Sequence, residues 1–297
     1  MATKTILLDV GGTFIKCSDG RTVPIDSDGS REQIAGALCE AVGDASDVAV
    51  AIPGPFDYAN GIFLMKHKFA SVYGERFADL VNASSTAGPA LAFRTGNAGM
   101  GSPCGTRPGP LPGAECGSCP PVRFRFVHDV VAMLMGEVKA GAGRGYSRVA
   151  LVTLGTGLGF AISIDGKPLL NEMGSPLVPI WNIPYRDGIL EDYASKRGFL
   201  RGFPGGLTVK DLAENPVAAD AAQRFAEVGG ILAEALAPIL AEYGIECLLF
   251  GGQISRSYHL FGPALEAGLT STAAPSLRHV GPVSDIGNAT FNGLRYL

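Results

Sequence analysis

The sequence predicts an α/β fold made of two related halves, and three observations carry that prediction. The opening reads strand, strand, a weaker third strand, helix, strand. A strand–glycine turn–strand unit like the first one recurs between 148 and 164. The chain has 297 residues, 46% hydrophobic and only 18% charged, which is apolar material for packed cores in two domains.

The first strand is Thr5-Ile6-Leu7-Leu8-Asp9-Val10, stopped by Gly11-Gly12. Thr13 to Cys17 follows and ends at the turn Ser18-Asp19-Gly20, so the pair reads as a hairpin. Between Arg31 and Val42 the apolar residues Ile34, Ala35, Leu38, Ala41 and Val42 share one helical face. Asp47 to Ile52 is the next strand, ended by Pro53-Gly54-Pro55. From 84 to 121 no period is sustained, Gly, Pro and Ser dominate, and three of the six cysteines are found; the reading is an irregular insertion. Order resumes with the alternating strand 122–127, then a helix from Val130 to Ala140. Arg148 to Leu154, Gly155-Thr156-Gly157 and Leu158 to Ile164 form the second hairpin. A long amphipathic helix spans Ala218 to Tyr243, a buried strand starts at Cys247, Gly251-Gly252 breaks it, and Tyr258 to Gly268 and 286–297 are helical.

Composition excludes several classes of function. With 24 Lys+Arg against 28 Asp+Glu the net charge is -4, which gives no broad basic face for nucleic acid. No apolar run approaches the roughly 18 residues of a membrane span. The start has no signal-peptide pattern, so the six cysteines (17, 39, 104, 116, 119 and 247) read as reduced thiols of a cytoplasmic protein. Cys104 with Cys116 and Cys119 is one ligand short of a tetrahedral zinc site, leaving either a metal completed from elsewhere or incidental thiols.

Asp9 at a strand end before Gly11-Gly12-Thr13 has the chemistry of a phosphate and metal device. The glycines admit phosphate oxygens to backbone N–H groups, Thr13 adds a hydroxyl, and the carboxylate holds hydrated Mg²⁺. An ordinary hairpin turn is the alternative. Lys16 either adds positive charge there or is a solvated strand lysine. Gly155-Thr156-Gly157 reads as a second phosphate cradle or another hairpin. Gly251-Gly252 reads as a strand–helix junction against which a nucleobase or ribose lies.

In that order, the motifs resemble the sugar kinase, actin and Hsp70 superfamily. Leu8 to Lys16, Ala51 to Pro55 with Gly61, Gly136-Glu137, the 153–160 loop, Leu190 to Ser195 and Phe250-Gly251-Gly252 together resemble the ROK family of repressors and sugar kinases. The resemblance implies two RNase H-like (actin-like ATPase) domains with an inter-domain cleft. They would comprise 1–127, completed by the C-terminal helix 286–297, and 128–285. It implies a glucokinase-like transfer from Mg-ATP to a hexose or amino sugar, and a homodimer.

By the same resemblance, Asp129 is the general base, Asp9 orders Mg²⁺, and Gly11, Gly12, Thr13, Lys16, Gly155, Thr156 and Gly157 hold phosphates. Gly251 and Gly252 hold the adenosine. Gly54, His67, His128, Asp129, Glu172 and Glu191 face the sugar. A helix N-cap is the competing role for Asp129; solvated loop positions compete for the two glutamates, and single local hydrogen bonds for the histidines.

Departures from the family pattern are equally specific. Ser175 stands where the family has His, and 176–190 contains no Cys, so the family's structural zinc is not expected. His67 and His128 stand where it has Asn, which argues against glucose. The family's repressors carry a DNA-binding segment ahead of the first glycine motif, and only eight residues precede Asp9 here. The second class of function is therefore a sugar sensor without DNA binding, or a catalytically weakened sugar-binding protein.

Overall fold

Two five-stranded mixed sheets with one and the same strand order organise the chain. The computed structural model describes residues 4–86, 122–214, 219–270 and 274–297. They form two compact units, Met1–Asp129 with Glu172–Ser175 and Leu297, and Val130–Asn171 with Pro176–Tyr296.

In the first unit the elements are β1 (Thr5–Val10), β2 (Phe14–Cys17), β3 (Thr22–Pro24), α1 (Arg31–Val42) and β4 (Asp47–Ile52). The ribbon β5 (Phe56–Asp57) with β6 (Ile62–Phe63), then α2 (Phe77–Thr86) and β7 (Arg123–His128), complete it. The sheet order is β3-β2-β1-β4-β7. Strands β1, β4 and β7 run parallel, with Asp9 opposite Ala51 and Ile52 opposite His128. Asp9, Pro53-Gly54 and His128 therefore leave the sheet at one edge, where the carboxyl ends of parallel strands place ligand sites.

Local chemistry explains the helix boundaries. Ser30 accepts the Gln33 N–H while the Gln33 side chain accepts the Ser30 N–H, and this reciprocal cap starts α1. Gly43 ends it at φ 58°. The expected face, Ile34, Ala35, Leu38, Ala41 and Val42, is buried. Phe56, Phe63, Phe69 and Phe77 are fully buried and tie the 53–77 segment to the sheet, Phe56 lying 5.3 Å from Phe126. Helix α2 runs to Thr86, three residues into the stretch read as irregular, because Phe77, Leu80 and Val81 anchor its buried side. The remainder of that stretch, with Cys104, Cys116 and Cys119, lies outside the described residues.

Next come α3 (Asp129–Ala140), β8 (Arg148–Leu154), β9 (Leu158–Ile164), β10 (Lys167–Pro168), β11 (Pro184–Tyr185) and β12 (Gly188–Ile189). These are followed by α4 (Leu190–Ala194), α5 (Lys196–Leu200), α6 (Val209–Glu214), α7 (Ala219–Glu242), β13 (Cys247–Gly251), α8 (Tyr258–Gly268), β14 (His279–Pro282) and α9 (Ala289–Leu294). The order β10-β9-β8-β13-β14 repeats the first sheet, antiparallel on one side of β8 and parallel on the other. Its core includes Phe225, Val228, Leu232, Leu236 and Leu240 of α7.

The C-terminal helix α9 is shorter than 286–297 and groups with the second unit. The reason is backbone-to-backbone packing on α3. A Cβ on Gly293 would overlap the Ala132 carbonyl at 1.6 Å, and one on Gly136 would stand 2.7 Å from the Gly293 nitrogen. Only glycines allow helices to approach so closely.

Candidate active site

The first unit gathers Asp9, Lys16, Gly54, Tyr58, His128, Asp129 and Ser175 at the edge where β1, β4 and β7 end. Asp9 and Lys16 are register partners across the hairpin, with Lys16 Nζ 3.7 Å from Asp9 Oδ2. Burial raises the Asp9 carboxyl above its ordinary value; Lys16 offsets part of that, and the charge of Asp129 adds to it. The turn itself is closed by the Gly11 N–H donating to the Phe14 carbonyl at 2.9 Å. Gly12 sits against Ser27, whose Oγ would lie 3.2 Å from a Cβ placed there, and whose N–H donates to the Gly12 carbonyl.

Asp129 opens α3 directly after β7, and its side chain is 42% exposed. His128 Nδ1 lies 2.7 Å from Asp129 Oδ1, so the imidazole N–H orients the carboxylate from the preceding residue. The other edge of the imidazole meets Gly54, where a Cβ would come within 3.4 Å of His128 Cδ2 and 3.3 Å of Tyr58 Oη. Tyr58 Oη donates to the Ile52 carbonyl at 3.0 Å, and its ring lies 5.8 Å from that of His128. Burial, then the Asp129 charge, push the Tyr58 phenol far above its ordinary value, against a hydrogen bond from Ser175.

Ser175 thus hydrogen-bonds Tyr58 from the position where the family pattern has histidine. The segment is seated by the Tyr58 N–H donating to the Met173 carbonyl, and by Gly174 at φ 84° against the Tyr58 ring. Glu172 is exposed in that turn, and His67 is exposed after β6. Nothing in the sequence pattern singles out Tyr58. Its role comes from residues 52, 54, 128 and 175 meeting in space.

The second unit gathers its own set. In the β8–β9 turn the Gly155 N–H donates to the Gly157 carbonyl at 3.1 Å, and Thr156 and Gly157 are exposed. Glu191, at the start of α4, accepts the Leu158 N–H at 3.0 Å on Oε2 and Arg197 Nη2 at 3.0 Å on Oε1. The Lys196 N–H donates to the Gly155 carbonyl at 2.8 Å. Glu191 and α5 therefore brace the glycine turn. Gly252, at φ 84°, rests on the backbone of Leu154, and Ser255 Oγ donates to the Gly252 carbonyl at 2.6 Å. A 3-10 turn over 253–257 leads from that glycine pair into α8, which spans Tyr258–Gly268 as the sequence predicts.

Among the described residues, no set of three or more His, Cys, Asp or Glu side chains is gathered for a metal ion. A hydrated magnesium ion needs less, because it keeps most of its waters and takes one or two protein carboxylates. A partly desolvated Asp9 that feels a second carboxylate at Asp129 fits such an ion, since a divalent cation relieves both the burial and the repulsion.

The profile of the ROK family matches residues 120–290, more than half of the sequence. The chain belongs to the ROK family. A glucokinase from Thermotoga maritima is 28% identical to it over 310 aligned positions, covering 89% of this chain and 86% of the relative. The ROK family glucokinase of Streptomyces griseus, solved in complex with glucose and AMPPNP, superposes with a TM-score of 0.71 at 20% identity, over 98% of this chain and 97% of that one. A ROK family transcriptional regulator, homologous to the E. coli MLC protein, superposes with a TM-score of 0.68 at 15% identity, over 98% of this chain and 77% of that one. The repeated sheet order and these neighbours identify the fold as the two-domain actin-like ATPase fold.

Proposed function

We propose that this ROK-family protein transfers a phosphoryl group from ATP to a hydroxyl of a hexose or amino sugar. The observation that supports the reading most is the placement of Asp9 and Asp129 at the carboxyl ends of parallel strands of one sheet, beside a Gly-Gly-Thr turn. The glucokinase name of the Thermotoga relative supports it as well. Asp129 takes the proton of the sugar hydroxyl as that oxygen bonds to the γ-phosphorus and the bond to ADP breaks. His128 holds the Asp129 carboxylate in the orientation that proton transfer requires.

Asp9 would hold magnesium, which when bound neutralises charge on the phosphate oxygens. Gly11 to Thr13 with Lys16, and Gly155 to Gly157, donate to phosphates, and the Gly251-Gly252 backbone lies against the adenosine. Glu172, His67 and Gly54 face the sugar. Glu191 has two partners already, and a carboxylate accepts about four hydrogen bonds, so a sugar hydroxyl is compatible with them.

A coupled ADP-release assay with Mg-ATP against hexoses and N-acetylated amino sugars tests the reading. Turnover with one sugar is expected, with Asp129→Asn lowering kcat by about 10²–10⁴-fold. Unchanged turnover in that variant removes Asp129 as the base. Ser175, bonded to Tyr58 where the family has His, favours a second reading as a sugar sensor. Silence across the panel, with a sugar still raising the melting temperature, is its signature.

A further inference from the structure

We infer that Lys68 is a second cation of the first glycine turn, placed to bind the phosphoryl group being transferred. The inference rests on the kinase reading and assigns it a residue that the glycine motif does not contain. Lys68 belongs to Met65-Lys66-His67-Lys68-Phe69, more than fifty residues beyond the turn in sequence. Two backbone hydrogen bonds carry it there. The Phe69 N–H donates to the Ser27 carbonyl at 2.6 Å, and the Ser27 N–H donates to the Gly12 carbonyl at 3.0 Å.

Phe69 is itself an unusual anchor. It is fully buried, its ring lies 5.4 Å from that of Phe63, and its φ of 54° is in the left-handed region that a bulky aromatic residue seldom occupies. That conformation turns the chain sharply just after Lys68, and the buried ring and the bond to Ser27 sustain it. The Lys68 stem consequently lies across the turn, with Cδ 3.9 Å from where a Gly12 Cβ would be.

Its charge is also uncommitted. Lys16 is drawn to Asp9 at 3.7 Å, and Lys66 Nζ sits over the Tyr73 ring at 5.4 Å, whereas Lys68 forms no ion pair with a described carboxylate. A compact ammonium on a flexible four-carbon stem can follow phosphate oxygens as charge builds on them during transfer.

The test compares full-length wild type with Lys68→Met, Lys68→Arg and Lys66→Met. Lys68→Met is expected to lower kcat about 10–100-fold with the sugar KM within about twofold, Lys68→Arg to recover part of the loss, and Lys66→Met to match wild type. Calorimetric titration of inorganic tripolyphosphate supplies a readout apart from turnover, with Kd expected to weaken about 5–10-fold in Lys68→Met. Wild-type kcat and tripolyphosphate affinity in that variant overturn the inference. So does a wild type that binds no tripolyphosphate. A wild type that phosphorylates no sugar defeats the kinase reading alone, and the titration still decides Lys68. Should Lys68→Met misfold, Lys68→Gln in the same titration decides it.

Discussion

Adding one methyl group at Gly252 should disable the second unit's glycine cluster. Gly252 has φ 84°, and a Cβ there would lie 2.3 Å from the Leu154 carbonyl oxygen and 3.0 Å from its carbon. Leu154 leads into the Gly155–Gly157 turn, and its strand is locked to β13 by parallel pairing in which Thr153 faces Gly251. The obstacle is backbone in a central sheet ladder, so it cannot swing aside. At φ 84° and ψ 167° the backbone is in a region open essentially to glycine alone, which costs alanine about 1–3 kcal/mol, and forcing an atom into packed backbone costs about 1–3 kcal/mol more. The sum, about 2–6 kcal/mol, corresponds to a fall in melting temperature of about 3–10 °C for a protein of this size.

Scanning calorimetry reads the shift, with Gly230→Ala as the control. Gly230 is exposed on α7 with nothing within 4 Å of its added Cβ, so the same methyl should stabilise there by about 0.5–1 kcal/mol. A Gly252→Ala protein melting within about 2 °C of wild type would refute the close approach of β13 to the turn. Where the variant survives purification, its KM for ATP should also rise, because the turn it displaces is the proposed phosphate cradle.

Two further outcomes follow from the same geometry. Glu191→Ala strips the Leu158 N–H of its acceptor and should cost about 1–3 kcal/mol in urea unfolding, whereas Arg197→Ala, at a partner 60% exposed, should cost less than about 1 kcal/mol; equal losses would mean that the ion pair, not the amide bond, braces the turn. Burial, then Glu137 and Glu246, raise the Cys247 thiol from 9.0 to about 12. A folded-state value above the unfolded one stabilises fully below pH 9.0 and fades as pH climbs toward about 12, so wild type should lose stability over that window relative to Cys247→Ala. Peptide mapping after iodoacetamide at pH 8 should find Cys247 labelled only in denaturant, and labelling at the denatured rate in the native protein would contradict its burial.

Several elements were readable from sequence because their causes are local. Helix α1 runs from Arg31 to Val42 as its apolar period and its Ser30 cap dictate, and the two hairpins around Gly11-Gly12 and Gly155–Gly157 announce themselves by apolar runs broken at glycine. Their likeness also foretold the repeated sheet. Helix α2 and the short α4 to α6 were not legible, since their few apolar positions have meaning only against the cores that bury them.

What the sequence by itself determined is the inventory: two strand–glycine–strand units, the order of the motifs, and which carboxylates stand at strand ends. Only the tertiary structure decided which groups meet. Tyr58 acquires its place from Ile52, Gly54, His128 and Ser175, Lys68 from a hydrogen-bond relay through Ser27, and Glu191 from an amide more than thirty residues away. The C-terminal helix joined the second unit because Gly136 and Gly293 permit backbone contact with α3, a constraint no periodicity encodes. Local hydrogen bonding and hydrophobic period write themselves into neighbouring residues, whereas electrostatic coupling and close packing depend on distances that exist only once the chain has closed on itself.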